Sequence, residues 1–176
     1  ERREAAYVDG NLALSVGRVL LEPRTLAKML DALDLQNDEL VLDIGSGYGY
    51  SAAIIAHIAQ AVVALEADEA MVADAQTVLS DAGADSVIMN AGPLEAGVAE
   101  HGPYDVITIQ GGVEEVPVAI IDQLKEGGRI AALFMTGALG EVRIGRKIDG
   151  QMNWRLAFNA SAPVLPGFSK ARDFAL

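Results

Sequence analysis

The stretch "DIGSGYG" places three glycines, Gly45, Gly47 and Gly49, two residues apart behind an acidic residue, Asp43. Glycine reaches positive φ and carries no Cβ, so a turn of this kind lets a ligand lie against bare backbone. Ser46 and Tyr48 stand between the glycines, and a helix starting beyond them would offer unpaired N–H groups. Glu66 closes a second apolar run, "AVVALEA", about one helix and one strand further on. With Ala67 beside it, a carboxylate at that point suits the two hydroxyls of a ribose.

The spacing separates two ligand classes. A dinucleotide fingerprint, G-x-G-x-x-G, needs a glycine at position 50, where the chain has Tyr50. That disfavours a nicotinamide-dependent oxidoreductase. The pattern present, D-x-G-x-G-x-G, resembles the turn of S-adenosylmethionine-dependent methyltransferases of the Rossmann-like class. The resemblance implies that the turn from Asp43 to Gly49 receives the amino-acid end of that cofactor, and that Glu66 receives its ribose.

These residues need a frame that brings two strand ends together. Short apolar runs supply it: "ELVLDIG" (39–45), "AVVALEA" (61–67), "SVIMN" (86–90), "YDVITIQ" (104–110) and "RIAALFM" (129–135). Several are apolar at consecutive positions, as strands covered on both faces are. Between them the sequence predicts helices at about 48–59, 68–82 and 116–125. An earlier helix is predicted in "EPRTLAKMLDALD", with Pro23 in its first turn and Leu26, Met29, Leu30 and Leu33 on one face. Two alternating runs around Asp149-Gly150 predict a closing antiparallel hairpin. The fold expected is α/β, a Rossmann-like, doubly wound, mostly parallel sheet with that C-terminal antiparallel hairpin.

Composition agrees and narrows the partners. The 176 residues, 51% hydrophobic and 22% charged, suit one globular domain over 1–176. A net charge of −12 opposes nucleic acid, whose binding rests on neutralising phosphates. No apolar run is long enough to span a membrane. The lack of cysteine suits a reducing cytoplasm. The chain begins "ERREAAYVDG" without methionine, so natural N-terminal sequence is expected to precede it.

From about Arg18 to Leu133 the chain resembles the protein-L-isoaspartate O-methyltransferases. The similarity is carried by "VLDIGSGYGYSAAIIA" and by "GPYDVITIQGGVEEVPVAIIDQLKEGGRIAALF", with "VLLEP" standing where the family has "I-S-x-P". The resemblance implies methyl transfer from S-adenosylmethionine to the α-carboxylate of an isoaspartyl residue in a damaged protein or peptide. It also places Leu21 at the family's Ser or Thr position, thought to orient the acceptor carboxylate. Thr25 and Ser15 are the neighbouring hydroxyls, and Gln110 is the other catalytic candidate. Gly92-Pro93-Leu94 replaces the family's "GDG", so Asn90 or the Leu94 N–H would serve the adenine end.

Other residues invite weaker readings. Gln110-Gly111-Gly112 is either the floor of the transfer site or a small-residue turn. Tyr48 and Tyr50 either cover a ligand or pack in the core. His57 and His101 are read as surface or partly buried residues, and Glu114-Glu115 as acids opening a helix. Trp154 and Phe158, an even offset apart, are expected on one face of the last strand. Two further functions stay open: a methyltransferase of the same class with another acceptor, and a non-catalytic cofactor-binding protein.

Overall fold

A computed structural model describes residues 10–171; the charged opening stretch and the last five residues lie outside it. The described chain opens with an antiparallel hairpin, β1 (Leu12–Ser15) and β2 (Arg18–Leu20), which the apolar patterning did not predict. Helix α1 (Pro23–Leu33) follows, with proline in its first turn and Leu26, Met29, Leu30 and Leu33 all buried, as the spacing required.

Then come β3 (Leu40–Ile44), α2 (Tyr50–Ala56), β4 (Ala61–Glu66), α3 (Glu69–Asp81) and β5 (Val87–Ala91). Strand β6 (Tyr104–Val113), α4 (Val118–Asp122), β7 (Leu124–Thr136), β8 (Leu139–Ile148) and β9 (Gln151–Asn159) complete the order. Seven strands form one sheet in the order β5-β4-β3-β6-β7-β8-β9, while β1 and β2 stand apart from it. The first five of these strands run parallel, and β8 and β9 add antiparallel pairs through a turn at Asp149-Gly150, both at positive φ.

Side chains alternate between the two faces of the sheet. Val41, Val62 and Ala64 pack with α1 and α2 on one face, whereas Leu42, Ile44, Val63 and Leu65 pack with Ile120 of α4, Leu165 and Phe168 on the other. Strand β3 lies between β4 and β6, where the chain reverses its direction of travel across the sheet. In such sheets ligands bind at the carboxyl ends of the strands flanking that reversal. Among the described residues no helix is long and apolar enough to cross a membrane.

Three local expectations are corrected. Glu114 and Glu115 do not open a helix: α4 starts at Val118 behind Pro117, and both backbone N–H groups donate to the Phe168 carbonyl. Helix α4 is shorter than predicted. Gln123, which follows it, turns its side chain back to the Ala119 and Ala96 carbonyls and accepts from Val98 N–H. Trp154 and Phe158 do not share a face. The β8–β9 register slips between Arg143↔Leu156 and Val142↔Phe158, and this bulge sends Trp154 to the α4 side and Phe158 to the α1 side.

Candidate functional site

The glycine turn joins the end of β3 to α2, at the reversal of strand order. Gly45, Gly47 and Gly49 have φ of 79°, 56° and 83°, values an L side chain adopts only at a cost. The turn's own N–H groups are engaged. Gly45 and Ser46 donate to the Leu65 carbonyl, Gly49 to Ser46, and Gly47 to Glu66 Oε2 at 2.8 Å. A Cβ on Gly47 would lie 2.8 Å from Leu14 Cδ1 of the N-terminal hairpin; one on Gly49 would lie 3.1 Å from Leu79 Cγ on α3. The two positions therefore differ. Gly49→Ala is expected to cost about 2–4 kcal/mol, adding overpacking of α3 to the backbone strain. Gly47→Ala should cost about 1–2 kcal/mol, because Leu14 can swing away. Urea unfolding of the two variants checks the order; equal losses would contradict it.

Asp43 is fully buried behind the turn. Its Oδ2 accepts from Ser51 Oγ of α2, and its Oδ1 from Thr108 Oγ1 at 3.1 Å and Gln110 Nε2 at 2.7 Å on β6. Burial raises its pKa to about 6, more than those three hydrogen bonds lower it, and the nearby Glu66 charge adds to the rise. Asp43 thus ties β3, β6 and α2 together, and no oxygen of it reaches solvent.

Glu66, at the end of β4, is also buried, and Arg18 of β2 lies fork-on against it: Nη1–Oε1 2.7 Å and Nη2–Oε2 2.6 Å. Ala67 and Asp68 N–H donate to Oε1 as well, and Arg18 Nη2 reaches the Gly45 carbonyl at 3.1 Å. Burial alone would raise this carboxyl. Arg18, by hydrogen bond and by charge, with the Asp68 and Gly47 amides, holds it below the usual range instead. Among the described residues, two polar atoms here, Ser46 Oγ and Arg18 Nε, are buried with no partner.

Gln110-Gly111-Gly112 is not a turn. Strand β6 runs through it to Val113, and the segment 162–168 covers it. Gly112 N donates to the Pro163 carbonyl, Leu165 N to the Gly112 carbonyl, and Leu165 packs where a Gly111 side chain would stand. On the other side of Glu66, Pro93 precedes a 3-10 turn whose Leu94 is buried. Asn90, Gly92 and Pro93 line a cavity of about 310 Å³ with Leu65 and Val98.

The hydroxyl candidates are not gathered at the turn. Leu21 is buried in the core under α1, Thr25 donates its hydroxyl to Glu22 Oε1 at 2.9 Å, and Ser15 is exposed. Tyr48 and Tyr50 are both exposed, so neither is a core residue. His57 ends α2 at the surface, and His101 lies 3.6 Å from Glu100. The residue that sequence reading missed is Arg18.

A family model described as protein-L-isoaspartate(D-aspartate) O-methyltransferase (PCMT) matches residues 1–152. The chain belongs to this family. It is 38% identical over 130 residues to the protein-L-isoaspartate O-methyltransferase of Azorhizobium caulinodans, covering 74% of this chain and 60% of that one. To that of Xanthobacter autotrophicus it is 33% identical over 169 residues, covering 94% and 76%. A solved protein-L-isoaspartate O-methyltransferase superposes with a TM-score of 0.78 at 28% identity, over 85% of this chain and 49% of that one. A Plasmodium falciparum protein of the same description, solved with S-adenosyl-L-homocysteine, gives 0.77 at 20% identity, over 90% and 81%, a likeness of fold. The chain thus spans from about half to about four fifths of these proteins' lengths. Within the PCMT family match fall the hairpin, the glycine turn, Glu66 and the whole of β3 to β8.

Proposed function

We propose that this chain is an S-adenosylmethionine-dependent methyltransferase that methylates the carboxylate of isoaspartyl residues in damaged proteins or peptides. The observation that carries the reading is the pairing, at the reversal of strand order, of a positive-φ glycine turn with an acid at the neighbouring strand end. The unpartnered Ser46 Oγ beside that turn fits a polar ligand, and the cavity at Pro93 fits a flat base. Glu66 fits a ribose in position, although Arg18 engages it.

When bound, the cofactor supplies a methyl group already activated on a sulfonium. The acceptor carboxylate is ionised at neutral pH, so the chain needs no general base. Its part is to hold two reactants in line and keep water out. Gly45, Ser46 and Gly47 would take the amino-acid end of the cofactor, Glu66 and Ala67 the ribose, and Pro93 and Leu94 the adenine. Asp43 and Gln110 fix the strand ends beneath them. The acidic surface argues for a protein or peptide acceptor over nucleic acid. The absence of cysteine favours the cytoplasm.

Leu21, buried among apolar neighbours and unable to donate a hydrogen bond, favours a second reading, the same cofactor with a different acceptor. Labelled methyl transfer to an isoaspartyl peptide, with its aspartyl isomer as control, decides between them. Base-labile label on the isoaspartyl peptide alone is the expected result. Cofactor binding without label on either peptide would shift the assignment to the second reading.

A further inference from the structure

We infer that the β1–β2 hairpin is a latch over the candidate site, and that Arg18 is the group a ribose diol must displace from Glu66. The inference rests on the reading of Glu66 as the ribose acid. A carboxylate offers about four acceptor positions, and five donors already converge on this one: Arg18 Nη1 and Nη2 and the amides of Gly47, Ala67 and Asp68. The amides belong to the frame. Arg18 alone is carried by a separate element, and its fork takes both oxygens, as a diol would. Leu14 of the same hairpin lies against Gly47. Hairpin and ligand therefore claim one space and one carboxylate.

The hairpin is suited to leave. It pairs with no strand of the main sheet, and two strands alone have little stability. Its tip residue Val16 is fully exposed. Its base is tied down by Asn11, which donates to the Ser161 carbonyl at 2.8 Å and accepts from Glu22 N–H at 3.1 Å, so the hairpin has a fixed end to swing on. The closed arrangement also leaves Arg18 Nε and Ser46 Oγ buried without partners, which tilts the balance towards opening. On opening, Arg18 regains water, and Glu66 keeps its three amides while the two donor places that Arg18 vacates fall to two hydroxyls.

Calorimetric titration of the full chain and of Arg18→Gln with S-adenosyl-L-homocysteine tests the latch. The variant is expected to bind at least tenfold more tightly, and the gain should fall below threefold for a 2′,3′-dideoxy analogue. Hydrogen exchange on the unmutated chain adds a readout independent of the variant's folding: amides of residues 12–20 should exchange faster at saturating ligand. Equal or weaker binding by Arg18→Gln, or unchanged or slower hairpin exchange, would overturn the latch while leaving the cofactor reading intact. No binding by either protein would remove both.

Discussion

Replacing Glu66 by alanine is expected to lower the free energy of unfolding by about 3 kcal/mol. Breaking a buried ion pair by removing one partner typically costs about 3–5 kcal/mol, because a charge is left behind without compensation. Here the carboxylate also terminates the amides of Gly47, Ala67 and Asp68. The expected value sits at the low end because the hairpin can carry Arg18 out to water, leaving the three amides as the lasting loss. The loss measures orphaned donors rather than the worth of the pair itself. Urea unfolding with an unchanged denaturant dependence checks it. A change under about 1 kcal/mol would mean that the carboxylate of Glu66 does not terminate these amides in solution.

Asp43→Asn is expected to act in the opposite direction and only at higher pH. The Asp43 carboxyl has an ordinary value of 3.8 and a folded value of about 6. Since the folded state holds the proton more tightly, the group favours folding below 3.8 and loses that contribution as pH rises to about 6. At about 1.4 kcal/mol for each pH unit between the two values, the ionised form costs about 3 kcal/mol at neutral pH. Asparagine escapes this cost, can accept from Thr108 and Gln110, and can donate to Ser51. The variant should therefore be about 1–3 kcal/mol more stable than the unmutated chain at pH 7 and equal to it near pH 4. Glu66 has the reverse sign: its depressed value gives stability above 4.5 that is lost as pH falls through the folded value. Comparing unfolding curves of the two proteins across pH 4–7 isolates Asp43; a difference independent of pH would contradict the assignment. A gain in stability at such a site is commonly matched by a loss of function.

The frame of the fold was legible because its signals are local. Consecutive apolar residues marked β3, β4 and β6, a period near 3.6 marked α1, and Asp149-Gly150 marked the closing turn. The glycine turn and Glu66 were legible for the same reason. Arg18 was not. An arginine beside a glycine reads as surface, and its burial depends on a carboxylate 48 residues away. A signal did exist in "ALSVGRVL", two short apolar-leaning runs around Val16-Gly17, but runs of four and three residues fall below what periodicity resolves. Trp154 and Phe158 show another limit. Parity assigns faces only while a strand keeps register, and one bulged residue reverses everything beyond it.

The strip from Ala162 to Phe168 gives this site a date of birth. Strand β6 outruns its pairing with β3 after Ile109, and Gly112 finds its next backbone partners in Pro163 and Leu165. Translation delivers β6 well before those residues. Until they are made, β6 beyond Ile109 is paired on its β7 side and open on its β3 side, an edge of the kind that recruits stray chains. Residues 162–168, made after β7, β8 and β9, then seal it, so the glycine site is completed later than the sheet that carries it.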